Sequence, residues 1–190
     1  MLITITGDTK GIGRAISAQL GNLGHQVAGF SRSNGFDIGS KIVRDKILPT
    51  IKRSDIFINN AYHETGQTEL LKEMLNAWTG TGKTLVHIGS SCANTSEQRF
   101  FDIFGDSVYN QRYIKEKKLQ LDIINSHLEI NNQQRVLHIM PAMVDTEMLA
   151  PHLKTANIMS PNDVAEVICN TIFSQRDNLY IQQLTFTSIL

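Results

Sequence analysis

Tyr113 and Lys117 stand four residues apart, so on a helix they share one face. A free tyrosine has a pKa near ~10, too high for a base at neutral pH. A cation one helical turn away favours the phenolate, which gives this spacing a use in proton transfer. A serine pair, Ser90 and Ser91, closes an apolar run and offers two hydroxyls at its end. Glycines at 7, 11 and 13 punctuate Thr6-Gly7-Asp8-Thr9-Lys10-Gly11-Ile12-Gly13. Such a turn lets backbone N–H groups approach a pyrophosphate, and a helix starting there aims its positive end at the same group. Plain alternatives stand beside each. Glycines also make tight turns, and serines end strands and cap turns. A stretch holding Arg112, Lys115, Glu116 and Lys118 is usually the solvated side of a helix.

These residues need elements that bring them together. Short runs rich in β-branched and large apolar residues predict strands over 2–6, 26–30, 55–59, 84–89, 135–140 and 180–185. A further short strand is expected near Asp37. Helical stretches are predicted over 11–23, 40–52, 67–79, 107–131 and 161–174, the last opened by Ser160 as a cap and Pro161 in the first turn. Strands alternating with helices, and nearly continuous in apolar residues, imply an α/β fold with a parallel sheet covered on both faces.

At 190 residues, without a low-complexity linker or internal repeat, the chain reads as a single domain over 1–190. Lysine and arginine (18) balance aspartate and glutamate (18), which argues against a nucleic-acid partner held by bulk positive charge. With Cys92 and Cys169 the only cysteines, there is no disulfide framework or metal clip, and a reducing, cytoplasmic setting is expected. The start, MLITITGDTK, carries no basic segment followed by a long apolar one, so no signal peptide is expected. No membrane span is expected either. Gly82-Lys83-Thr84 lacks the earlier glycine and the following helix of a phosphate-binding P-loop. The Asn94-Thr95-Ser96 sequon means nothing without a secretory route. His63-Glu64 has no second ligand at metal spacing, so no metal is expected. His87 and His138 read as satisfied core histidines.

In order and context, these motifs resemble the short-chain dehydrogenases/reductases, in their compact branch. TGDTKGIG is similar to the TGxxxGIG cofactor turn, and Asn59-Asn60-Ala61-Tyr62 to NNAG. Ser90-Ser91 resembles the strand-end serine pair, and Tyr113 to Lys117 is a YxxxK. Pro141-Ala142-Met143-Val144-Asp145-Thr146 is similar to PGxVxT, and Ser160-Pro161-Asn162-Asp163-Val164-Ala165 to the start of the last helix. The resemblance covers nearly the whole chain. It implies a three-layer Rossmann-type, doubly wound parallel sheet and an oxidoreductase that moves a hydride between a nicotinamide cofactor and a small carbonyl or alcohol. Under it Tyr113 is the general acid/base, Lys117 tunes it and binds the nicotinamide ribose, and Ser91, the second of the pair, holds the substrate oxygen. The expected cofactor contacts are Gly7, Thr9, Lys10, Gly11, Ile12, Gly13, Ser31, Arg32, Asp37, Ile38, Asn59, Asn60, Ala61, Tyr113, Lys117, Pro141, Val144 and Thr146.

Ser31 stands where members that bind NAD carry aspartate, and Arg32 follows it, with Lys10 in the turn. Two cations and no carboxylate at the strand end suit a 2′-phosphate, so NADP(H) is expected ahead of NAD(H). Asp8 is the counter-signal, a carboxylate close to the phosphates. The tetrad asparagine of the family has no clear match. Asn76 comes too late, and water or Gln67 is the expected substitute. Tyr62 replaces the glycine of NNAG. Phe100, Phe101 and Phe104 read as core, and the segment 148–159 as a modest lid. Family members form dimers or tetramers, and a homo-oligomer is expected here. The competing reading is a catalytically silent NADP(H)-binding sensor or interaction module on the same fold.

Overall fold

A computed structural model of the chain describes residues 1–130, 134–149, 151–154, 158–174 and 180–187. Six strands form one sheet: β1 (Leu2–Thr6), β2 (Gln26–Phe30), β3 (Ile56–Asn59), β4 (Thr84–Ile88), β5 (Arg135–Pro141) and β6 (Gln183–Phe186). Their order is β2-β1-β3-β4-β5-β6, and every neighbouring pair is parallel. This is the parallel α/β sheet that the strand–helix alternation implies, in the Rossmann-type arrangement that the resemblance implies. The strand order reverses between β1 and β3, so a crevice opens beyond their C-terminal ends. The helices are α1 (Gly11–Asn22), α2 (Lys41–Arg53), α3 (Gly66–Ala77), α4 (Glu97–Phe104), α5 (Val108–Ile130) and α6 (Pro161–Phe173).

Side chains alternate across each strand, and they sort into two cores. Ile56, Ile58, Val86, Ile88, Leu137 and Ile139 pack with Ile16 and Leu20 of α1 and with Val164, Ile168 and Cys169 of α6. The residues between them, Phe57, Leu85 and Val136, pack with Ile51 of α2, Leu71 and Met74 of α3 and Ile124 of α5. Farther along the same alternation, Asn59, His87 and His138 lie side by side in register on β3, β4 and β5, all fully buried.

Ser160 accepts the Asp163 N–H at 3.1 Å with Pro161 in the first turn of α6, as expected. Two local readings differ from the sequence expectation. Residues 97–104 form α4, capped by Ser96, with Phe100 buried among Cys92 and Ile114. The short strand near Asp37 does not form. The Asp37 carboxylate accepts the Gly39 N–H at 3.0 Å, which curls the chain into a turn. Residue 131 of the expected fifth helix, residues 150 and 155–157 of the expected lid, and residues 175–179 lie outside the described residues. No described helix is long and apolar enough to cross a membrane.

Both cysteines are free thiols and both are buried. Burial raises the Cys92 thiol above its ordinary value and pushes Cys169 up to about 11.

Candidate active site

The glycine turn follows β1 directly. Gly7 and Gly11 have φ of +76° and +51°, a region that disfavours a side chain. A Cβ on Gly13 would lie 2.1 Å from the Gly7 carbonyl oxygen, so only glycine lets α1 start this close to the strand. Asn60 staples the turn from the neighbouring strand end. Its amide donates to the carbonyls of Thr6 at 3.0 Å and Gly7 at 3.3 Å. The Asn60 and Ala61 N–H groups donate to the Thr6 hydroxyl, each at 3.1 Å. Among the described residues no side chain caps the start of α1 at Lys10 and none partners the first N–H groups of the helix, at Gly11, Ile12 and Gly13, which leaves them open to an anion. The γ-methyl of Thr146 sits 3.1 Å from where a Gly11 Cβ would be, which brings the segment after Pro141 against the turn. Val144 is held there by a parallel bridge to Met159. The donors and the bare backbone of this cradle suit the pyrophosphate of a dinucleotide.

At the end of β2, Thr9 and Ser33 share a hydroxyl hydrogen bond of 2.7 Å. Ser31 is buried and donates its hydroxyl to the Asp8 carboxylate. Arg32 is exposed. Lys10 turns to Glu147 at 2.6 Å. Asp37 accepts from the Gly39 N–H and pairs with His63 at 2.6 Å. Burial raises its carboxyl, but Gly39, His63 and Arg32 outweigh this and hold it below the ordinary range. Ile38 is buried beside the start of α3.

The third group of side chains gathers where β3 and β4 end under α3 and α5. Lys117 is 3% exposed, and its ammonium donates to Gln67 Oε1 at 2.6 Å and to the Ile88 carbonyl at 3.3 Å. Both amide hydrogens of Gln67 go to backbone carbonyls, those of Asn59 and Ile88, each at 2.9 Å. The amide therefore cannot flip without losing them, and its oxygen must face Lys117. Gln120 donates to Thr68 at 2.9 Å and accepts from His87 at 3.0 Å. Asn59 donates to the other ring nitrogen of His87 at 3.3 Å, which assigns His87 as the neutral Nε2–H tautomer. Burial, with His138 and Lys117 nearby, keeps that ring far below its ordinary pKa. His138 differs from the expectation of a satisfied histidine. Neither ring nitrogen has a partner among the described residues, because the ring fills the space above Gly89, where a Cβ would lie 2.2 Å from its Nε2.

Tyr113 lies one turn before Lys117 on α5, with its ring 5.6 Å from the ammonium. Burial is the largest influence on its phenol and raises it above the ordinary tyrosine value. Burial also brings Lys117 down to about 8. Of the serine pair, Ser90 is the one whose hydroxyl bears on the Tyr113 phenol, opposing the rise that burial causes. Ser90 also caps the turn after β4 by accepting the Cys92 N–H at 3.3 Å. At Ser91 the backbone carbonyl accepts from the Thr95 hydroxyl, and its side chain makes no hydrogen bond among the described residues. Tyr62 packs edge-on against Tyr113, with ring centroids 5.0 Å apart, and its ring lies 5.3 Å from the Lys117 ammonium. Phe100 stacks behind Tyr113 at 6.2 Å.

The expected residues thus fall into linked groups along the C-terminal edge of the sheet. Gly7, Gly11, Gly13, Asn60, Ala61 and Thr146 surround the turn. Thr9, Ser31 and Arg32 lie at the end of β2, and Asn59, Tyr113 and Lys117 at the ends of β3 and β4. Pro141 and Val144 are buried at the exit of β5.

No family model matches the sequence, and no curated protein matches it. Solved structures do. A 3-alpha-hydroxysteroid dehydrogenase from a Pseudomonas species, complexed with NADH, superposes with a TM-score of 0.74 at 18% identity, over 97% of this chain and 95% of the other. A short chain dehydrogenase from Burkholderia cenocepacia, in complex with NADP, gives 0.73 at 15% identity, over 97% and 86%. A 4-hydroxyisoleucine dehydrogenase complexed with NADH gives 0.76 at 14% identity, over 97% and 96%. The chain has the short-chain dehydrogenase fold. Within that fold, the candidate site residues of this chain occupy the C-terminal edge of the sheet, the side on which open α/β sheets bind ligands.

Proposed function

We propose that the chain is an oxidoreductase of the short-chain dehydrogenase type, interconverting a small carbonyl and its alcohol with a nicotinamide dinucleotide. The observation that carries this reading is the meeting of the Tyr113 phenol, the Ser90 hydroxyl and the buried Lys117 ammonium beside a glycine turn open to an anion. A bound nicotinamide dinucleotide supplies the hydride. The glycine turn and the start of α1 hold its pyrophosphate, stapled by Asn60. Ser90 donates to the substrate oxygen, taking the role expected of Ser91. Tyr113 carries its proton at neutral pH, as an ordinary phenol does, and burial raises it further, so the phenol is set to donate to an oxygen that gains charge. Lys117 is fixed by Gln67, which stands in for the missing tetrad asparagine. By residue type alone, Arg32 and Lys10 would favour the NADP(H) form. Glu147 already engages Lys10, which leaves Arg32 as the cation at the end of β2. Val108 and Leu119, exposed on α5, support an oligomer built through that helix.

The test is oxidation of NADH and NADPH across a panel of ketones and aldehydes. Tyr113→Phe should lower turnover by about 10²–10⁴-fold at an unchanged melting temperature. Turnover unaffected by Tyr113→Phe would overturn the role of that phenol.

A second reading, a silent dinucleotide-binding module, is favoured by Tyr62, whose ring packs against both Tyr113 and Lys117. It predicts thermal stabilisation by the cofactor without turnover on any substrate.

A further inference from the structure

We infer that Asp8 selects the cofactor: its carboxylate takes the adenosine ribose hydroxyls at the end of β2 and turns away a 2′-phosphate, so the chain prefers NAD(H) to NADP(H). This rests on the reading that the glycine turn holds a nicotinamide dinucleotide. It runs against what Arg32 and Lys10 suggest by residue type alone.

The decisive placement is that of the carboxylate. In dinucleotide folds an acidic side chain at the end of the second strand accepts from the ribose 2′-OH. This chain has Ser31 there, but Ser31 is not left to act alone. Its buried hydroxyl donates to Asp8 Oδ1. The other oxygen lies over the bare backbone of β2. A Cβ on Gly29 would be 2.1 Å from Asp8 Oδ2 and 2.2 Å from its Cγ. Gly29 is an isolated glycine inside a strand, and Asp8 occupies the space it leaves. The carboxylate missing from the strand end is delivered from the turn.

The cations are arranged to match. Lys10 is held by Glu147 at 2.6 Å. Arg32 is exposed next to Ser31, and its field reaches Asp37. Among the described residues Asp8 has one hydrogen-bond partner, Ser31, so a carboxylate oxygen is left to accept from a ribose hydroxyl. A 2′-phosphate brought to the same place would set like charges together with one guanidinium to offset them, a repulsive element of the kind that produces specificity.

Dissociation constants for NADH and NADPH, measured by fluorescence or calorimetry, decide the matter without any need for a substrate. The wild-type chain should bind NADH at least about tenfold more tightly, equivalent to ~1.4 kcal/mol. Asp8→Asn keeps the shape and an acceptor for Ser31 while removing the charge, and should bring the ratio to one or reverse it. Gly29→Ala keeps the carboxylate but displaces it, and should shift the ratio in the same direction. Melting temperatures check that both variants fold. Tighter binding of NADPH by the wild-type chain would overturn the inference and leave the nucleotide site standing. So would an Asp8→Asn variant that weakens both forms equally, the mark of a merely structural clip. Binding of neither form would overturn the nucleotide site and this inference with it.

Discussion

The two faces of the sheet are made by the same strands and bury different things. Toward α1 and α6, successive strands contribute Ile56, Ile58, Val86, Ile88, Leu137 and Ile139, with no charged or amide side chain among them. Toward α3 and α5, the apolar Phe57, Leu85 and Val136 give way at the C-terminal end to Asn59, His87 and His138, met by Gln67, Lys117 and Gln120. One face is dry and gains by removing apolar area from water. The other must satisfy each buried polar atom, and its worth depends on whether every partner is present. The candidate site lies where the second face meets the open edge of the sheet.

Substitutions can break this contrast. The largest effect belongs to the dry face. Ile139→Ala should cost about 2–5 kcal/mol, read by urea unfolding, with little change at the site. Gln67→Leu comes next, because it removes the oxygen that holds the Lys117 ammonium. It should cost about 1–3 kcal/mol and drop the Lys117 pKa below about 8, seen in a nuclear magnetic resonance titration of the lysine side chain. Gln67→Glu should raise that pKa instead. His138→Leu should stabilise the chain, by ~1 kcal/mol, since it removes two ring nitrogens that have no partner. The wild-type His138 is brought down from 6.5 to about 3. The unfolded ring therefore protonates first, and stability is lost as pH falls from 6.5 toward 3. His138→Leu should flatten that loss. The last effect lies at high pH and has the opposite direction. Lys117 falls from 10.5 to about 8 when buried, so the unfolded chain binds the extra proton in between, and stability should rise from pH 8 to 10.5. Lys117→Met should remove that rise.

The dry face was legible in the sequence because β-branched runs announce strands and alternation needs no further information. The glycine turn was legible too, since Gly7, Gly11 and Gly13 have a steric reason at each position. What escaped depends on direction rather than type. Ser90 and Ser91 are the same residue in sequence, and only the geometry of the turn after β4 brings Ser90 to Tyr113. Asp8 reads from sequence only as a counter-signal close to the phosphates, because its side chain crosses to the neighbouring strand. Gly29 was the available signal, for an isolated glycine in a strand often marks a close approach. Phe100, Phe101 and Phe104 carried a helical spacing that marks α4. His138 could not be read, since its missing partners follow from the space above Gly89 and not from its neighbours in the chain.

The two thiols turn this division of labour into something measurable without engineering. Cys169 sits in the dry core and Cys92 beside Phe100 and Tyr113. Both are shielded and held in the unreactive protonated form. An alkylating reagent can therefore reach each one only while its own region is open, so a protein with no added label carries one clock in its scaffold and another in its site. If binding at the crevice slows the Cys92 clock and leaves the Cys169 clock running as before, the working corner breathes independently of the frame that carries it.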